Sequence, residues 1–167
     1  MKYYGELVKS LDQLVTVYRH LLDCVRRENE TLLQADVAQV PEINIAKEKL
    51  IIKVRDLDKV WQQSAKRISI KLGMKSSEPT LLELAGQFSG EDAKKLERIH
   101  SVLNIIVNRV DELNKQNKVL VQSILSHISG AMSSITRTLN ENPTYRNSGS
   151  MEQVNQDAQG RLVQREA

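Results

Sequence analysis

One pair of residues in the chain has the spacing of a metal site. Glu97 and His100 form a Glu-x-x-His sequence, which helical bundles use to bind two metal ions. Such a site needs a second copy and two further carboxylates directed inward. Neither His20 nor His127 follows a Glu by three residues. We therefore interpret Glu97 and His100 as a surface pair and expect no metal ion.

Other signals of catalysis are missing from the sequence as well. It contains no glycine-rich phosphate loop, no paired-cysteine zinc pattern and no nucleophile elbow. The single cysteine, Cys24, has no partner for an internal disulfide, and we interpret it as a small residue at the edge of the core. We expect a protein that is not an enzyme and that uses no cofactor.

Two asparagines interrupt the apolar pattern of the last long helix. Asn117 occupies a position of the apolar stripe, and Asn114 lies three residues before it. A buried amide can fix helix register or oligomeric state, at some cost in stability. A partner protein could instead satisfy these amides. We favour the register role and keep both interpretations.

The second predicted helix is basic. Its acidic residues are outnumbered by Lys47, Lys49, Lys53, Arg55, Lys59, Lys66, Arg67, Lys71 and Lys75. A nucleic-acid-binding surface usually adds interleaved aromatic residues or a recognisable motif, and neither is present. The charges are interpreted as a solvated face, with an acidic protein partner as the alternative.

The elements that carry these residues are helices. The chain of 167 residues has one Phe, one Trp and few Gly or Pro, which is typical of a helical bundle. The sequence predicts an all-α fold: an elongated antiparallel bundle or coiled coil of three long helices and one short helix. We expect helices at 3–33, from a cap at Asp36 to Leu72, at about 80–86 and at about 91–139. Gly73 is expected to end the second helix in a left-handed conformation, and Thr80 with Glu83 to form a capping box.

The last helix is longer than the two helices that could cover it. Its apolar residues step by four and three as far as Ile124, and beyond that residue the steps include a stutter. A second apolar ridge begins there, and we predict that it binds a partner beyond the turn between the first two helices. An accidental drift of phase, with contacts between copies, is the alternative. The ridge consists of Val121, Leu125, Ile128, Met132, Ile135 and Leu139.

We expect two domains, a helical bundle at 1–140 and a flexible tail at 141–167. Val154 and Leu162 have loose helical spacing in the tail and could contact a partner. The first residues lack the apolar run of a signal peptide, and no segment is apolar enough to cross a bilayer. A cytoplasmic protein without direct membrane insertion is therefore expected.

Three segments, in this order, resemble the FlgN family of flagellar type III export chaperones. They are LLDCVRRENETLLQADVAQVPEINIAKEKLIIKV, DELNKQNKVLVQSIL and PTYRNSG. The first is similar to the family's leucine-rich helix and acidic turn, and the second to its Asn-x-x-Asn before a leucine-rich stretch. The third contains Tyr145 and is similar to the Tyr and nearby Gly that follow the long helix. Ala35 departs from the pattern, because many members have Gly in the turn.

The resemblance implies that the chain binds the hook–filament junction proteins FlgK and FlgL in the cytosol and passes them to the flagellar export apparatus. It places the client site in the C-terminal region, so Tyr145, Val154 and Leu162 join the ridge as expected client-binding residues. The alternative is a coiled-coil adaptor, a possible homodimer that self-associates through its long C-terminal helix. A nucleic-acid-binding role for the basic helix ranks third, and we expect no nucleic acid as a partner.

Overall fold

The computed structural model describes residues 2–76 and 78–141, and this part of the chain is helical. The four α-helices are α1 (Lys2–Leu33), α2 (Val40–Leu72), α3 (Leu81–Ala85) and α4 (Glu91–Glu141), and a 3-10 helix spans Val37–Gln39. The prediction of an all-α fold with three long helices and one short helix is confirmed. The predicted tail lies outside the described residues.

Helices α1 and α2 run antiparallel. The Lys47 side chain on α2 reaches Glu28 on α1, and the Lys71 ammonium lies 4.7 Å from the centre of the Tyr3 ring. Higher numbers on α2 therefore meet lower numbers on α1, as a short turn between two helices requires. Helix α1 ends at Leu33, and Ala35 follows it in a left-handed conformation with a φ of 55°. The Asp36 amide then donates to the Thr31 carbonyl of α1.

The start of α2 differs from the sequence prediction. Asp36 precedes the 3-10 helix rather than α2, and its side chain makes no capping bond to the backbone. The α-helix begins at Val40, with Pro41 in its first turn. A proline is tolerated there because the first amides of a helix have no intrahelical acceptor. The predicted left-handed end at Gly73 (φ 68°) and the capping box of Thr80 and Glu83 are both present.

The first part of α4 lies along α1 in the same direction. The Tyr4 hydroxyl donates to the Asp92 carbonyl at 3.0 Å, and the Asn117 amide donates to the Val25 carbonyl at 3.1 Å. Contacts at both ends fix the register of the two helices over more than twenty residues.

The core consists of the apolar stripes of these helices. Its buried members on α1 and α4 are Leu7, Val8, Leu11, Leu14, Val15, Leu21, Leu22, Val25, Leu96, Ile99, Ile106, Val110 and Leu113. Helix α2 contributes Ala65 and Ile68, and α3 contributes Leu81, Leu84 and Ala85. The tyrosine and phenylalanine rings of Tyr4 and Phe88 pack with their centroids 4.9 Å apart. The short helix therefore holds the connection between α2 and α4 against the core.

The chain divides into two compact units between Ile124 and Leu125. The first unit, residues 1–124, contains the core. The described part of the second unit is the continuation of α4 from Leu125. The expected domain boundary at 140 and 141 stays a prediction.

Candidate functional site: an exposed apolar ridge on α4

The second apolar ridge of α4 is open to solvent. Its six side chains are exposed by 37% at Val121 to 67% at Leu139. They follow one another by four and three residues, so they share one face of the helix. We call this surface the α4 ridge, and it consists of Val121, Leu125, Ile128, Met132, Ile135 and Leu139.

Burial changes along α4 although the apolar spacing continues. Leu96, Ile106 and Leu113 are buried, and Leu120 and Ile124 are half-buried. Every residue from 125 to 139 is exposed. An exposed apolar surface of this length makes the residues from 121 to 139 the candidate binding site.

The residues that flank the α4 ridge are small, polar and almost uncharged. Between 119 and 139 the sequence has one charged residue, Arg137, and one histidine, His127. The other flanking positions are mostly serine and threonine. The Thr136 hydroxyl donates to the Met132 carbonyl at 2.9 Å, and the Thr138 hydroxyl donates to the Ser134 carbonyl at 3.0 Å. The surface therefore offers apolar contact with little charge for a partner to match.

Met132 lies in the middle of the α4 ridge and is 60% exposed. Its unbranched thioether side chain adapts to partner surfaces of different shape. Gly130 lies nearby, and a Cβ atom built at this position would meet nothing within 4 Å. The glycine is therefore not required by close packing within the described structure.

A buried polar cluster links α1, α2 and α4 inside the first unit. The Lys47 ammonium lies 2.7 and 2.6 Å from the two carboxylate oxygens of Glu28. The Asn117 amide donates to Glu28 at 3.0 Å and also to the Val25 carbonyl. Asn29 donates to the Asn117 oxygen at 2.7 Å. In the described structure every buried side-chain nitrogen and oxygen has a partner.

This cluster bears on the two roles considered for the asparagines. Asn117 is buried and its hydrogen bonds are made within the chain, which supports the register role; Asn114 is exposed. Both roles stay predictions for Asn114. Sequence reasoning missed Glu28, Asn29 and Lys47 as members of one cluster. The available signal was Glu28 itself, the one residue that breaks the heptad phase of α1.

Cys24 has the environment of an unreactive thiol. It is partly buried and donates a weak hydrogen bond, 3.5 Å long, to the Ile43 carbonyl on α2. Burial raises the pKa of the Cys24 thiol, and the nearby Glu28 carboxylate raises it further. The cationic side chains of Lys47 and Arg27 act in the opposite direction. Because the thiolate is the nucleophile, a raised pKa lowers reactivity at neutral pH.

The other predicted client-binding residues follow α4 in the sequence. Tyr145, Val154 and Leu162 lie outside the described residues. Glu97 is exposed and His100 is half-buried, and within residues 2–76 and 78–141 no group of three His, Cys, Asp or Glu side chains could hold a metal ion. In the same part of the chain, no helix combines the length and apolar character needed to cross a bilayer.

Comparison with known proteins gives one finding. The family model described as FlgN protein matches residues 1–153. The searches of curated proteins and of solved structures found no match.

Proposed function

Since the chain belongs to the FlgN family of flagellar export chaperones, a chaperone family rather than an enzyme family, we propose that its clients are the hook–filament junction proteins FlgK and FlgL. The chain binds their C-terminal helical segments in the cytosol and delivers them to the type III export apparatus. No covalent step is involved. Binding keeps these segments from assembling before secretion.

The observation that carries this proposal is the exposure of the α4 ridge. A client helix with apolar residues at matching spacing can lay that face on the ridge and remove both apolar surfaces from water. Because the flanks of the ridge are nearly uncharged, the fit depends on apolar contact rather than on charge pairs. Two clients with different polar residues can therefore use the same surface. On the sequence alone, Tyr145, Val154 and Leu162 are included in this site.

The α4 ridge also supports a second function. An exposed apolar helix face can bind the same face of another copy, which would make the protein a coiled-coil adaptor that self-associates. The two functions predict different complexes. The chaperone forms a soluble complex with a junction protein, whereas the adaptor forms a stable homodimer in the absence of any client.

The test replaces Leu125 and Met132 together with Asp. Two carboxylates on the ridge have to be desolvated when a client helix binds, so client affinity should fall at least ten-fold. Helicity and Tm should change little, because both side chains are already exposed. The measurements are isothermal titration with purified FlgK and FlgL, size-exclusion chromatography and circular dichroism.

The matched control replaces Ile105 and Val119 with Asp. These side chains are also on α4 and are 68% and 65% exposed, but they lie off the ridge. The control should retain client binding. If the ridge variant unfolds, the ridge is internal core and the site assignment is wrong. If wild-type chain forms a homodimer that the ridge variant loses, and neither binds a junction protein, the adaptor function replaces the chaperone function.

A further inference from the structure

The outward face of α2 is a second exposed surface that the α4 ridge does not involve. Ile45, Ile52 and Ile70 on this helix are exposed by 55%, 53% and 69%. These exposed fractions are similar to those of the α4 ridge, which range from 37% to 67%. Singly exposed isoleucines are common on protein surfaces, so the significance of these three depends on the residues around them.

Cationic side chains border the three isoleucines on both sides. Successive residues of a helix turn by about 100° around its axis, so Ile45, Ile52 and Ile70 fall on one line. Lys49, Lys53 and Arg67 fall on one side of that line, and Arg55, Lys59 and Lys66 fall on the other. All six cationic residues are exposed. Glu42, Glu48 and Asp56 are the acidic residues that share the face, so six cations stand against three carboxylates and its net charge is positive.

The internal structure does not use these six charges. Lys47 pairs with the buried Glu28, and Lys71 lies over the Tyr3 ring. In the described part of the chain, by contrast, none of the six cations of the outward face makes an ion pair within 4.0 Å. The charges are therefore available to a molecule outside the chain.

The combination of apolar and cationic rows decides which kind of molecule fits. A nucleic acid would complement the charges but not the isoleucines, and α2 exposes no aromatic ring for base stacking, since Trp61 is half-buried and donates to Asp58. A membrane surface favours a continuous apolar wedge, whereas the seventeen positions between Ile52 and Ile70 include Asp56, Lys59 and Gln63 on or beside the same line of α2. A partner helix, unlike lipid, can place polar side chains opposite these three residues. A helix with an apolar line between two acidic rows complements both features.

We propose that the outward face of α2 binds an acidic amphipathic helix of a partner protein. Ile45, Ile52 and Ile70 contact apolar residues of the partner helix, and the six cations pair with carboxylates on its flanks. The distance from Ile45 to Ile70 is about 37 Å along the helix, enough for about 25 residues of a partner helix. This surface shares no residue with the α4 ridge, so the two proposals can be tested with separate variants.

The test uses two synthetic helical peptides of about 25 residues. One has a leucine line between two rows of Glu, and the other has Gln in place of every Glu. The full chain should bind the Glu peptide at least ten-fold more tightly at low salt, and the difference should shrink as salt screens the charges. Replacing Lys59, Lys66 and Arg67 together with Glu should abolish that preference.

The control has the same change in net charge at another place. Arg19, Arg98 and Lys118 are exposed and lie on α1 and α4, so their combined replacement with Glu should leave peptide binding nearly unchanged. The variant with Asp at Leu125 and Met132 should also bind the Glu peptide normally. That result separates this proposal from the proposed client site, because either surface can fail without the other.

Three results would overturn the proposal. The first is equal binding of the Glu and Gln peptides. The second is tighter binding of single-stranded RNA than of the Glu peptide, together with loss of RNA binding when Lys59, Lys66 and Arg67 are replaced with Glu. That result would make α2 a nucleic-acid-binding surface. The third is tighter binding of phosphatidylglycerol vesicles than of the Glu peptide, again lost in the same variant. That result would make the outward face of α2 a membrane-binding surface.

Discussion

Replacing Lys47 with Met tests whether the cluster of Glu28, Lys47 and Asn117 stabilises the first unit. Methionine keeps the length and helix propensity of lysine but removes its charge. The change leaves the Glu28 carboxylate, whose side chain is 8% exposed, with the Asn117 amide and without its cation. We expect this replacement to lower the free energy of unfolding substantially, although Lys47 itself is partly exposed.

The size of the loss follows from the burial of the two partners. Breaking a fully buried ion pair costs about 3–5 kcal/mol, because one charge is left without compensation. The Lys47 side chain is 20% exposed, so water can partly replace it. We expect the free energy of unfolding to fall by about 2–4 kcal/mol. With an ordinary dependence on urea, the midpoint of unfolding should fall by about 1–2 M.

The assay is urea unfolding followed by circular dichroism, with two further variants. Lys115→Met removes a surface pair with nearly the same separation, 2.7 Å from Asp111, but both partners are exposed. Its midpoint should hardly change, because solvent screens exposed pairs. The double variant with Met at both Glu28 and Lys47 should recover most of the stability, since no buried charge is left without its partner.

The reasoning would be refuted if Lys47→Met and Lys115→Met caused equal shifts. It would also be refuted if the double variant were less stable than Lys47→Met. The first result would mean that burial does not strengthen this pair. The second would mean that the Glu28 carboxylate is stabilised by the remaining protein groups without Lys47.

Further predictions concern two left-handed residues and one tyrosine. Ala35 has φ 55° and Gly73 has φ 68°. Ala35→Gly should raise the free energy of unfolding by about 0.5–1 kcal/mol and Gly73→Ala should lower it by about 1 kcal/mol, because only glycine adopts this conformation without strain. Urea unfolding measures both, and shifts of the same sign would contradict this explanation. Burial, contact with Asp92 and the charge of Asp12 raise the pKa of Tyr4 from its ordinary value near 10 to about 12. The neutral phenol is therefore favoured in the folded state. The contribution of Tyr4 to the free energy of unfolding is complete below pH 10 and is lost as the pH rises to about 12. The Tm of the wild type should fall more steeply than that of Tyr4→Phe over this interval, and parallel curves would show that Tyr4 does not contribute.

The sequence was sufficient to predict the helices because their boundaries are local. Gly73, Thr80 and Glu83 act through bonds to neighbouring backbone groups, so their types and spacing predict the ends of α2 and α3. The 3-10 helix after Asp36 was missed because one aspartate can cap either kind of helix. Ala35 adopts the left-handed conformation that α1 needs at its end, although alanine gives no local signal for it.

The candidate site also has features that the sequence predicts and features that it does not. The residues of the α4 ridge could be predicted because a period of four and three decides which side chains share a face. An uncovered surface was also expected, because α4 is longer than the helices that could cover it, and the ridge side chains are exposed. That this surface binds a partner stays a prediction. The Glu28 and Lys47 pair was missed, because contacts between residues on different helices can be predicted only when the register of α1 and α2 is known.

The threonine hydroxyl groups beside the α4 ridge are polar, but they add little to the cost of removing water from this surface. Thr136 and Thr138 already donate to carbonyls of their own helix. In the proposed complex with a client, these donors would keep their hydrogen bonds when water leaves the surface, so little hydrogen bonding would be lost. The dehydration penalty of this surface is therefore smaller than a count of its polar residues suggests.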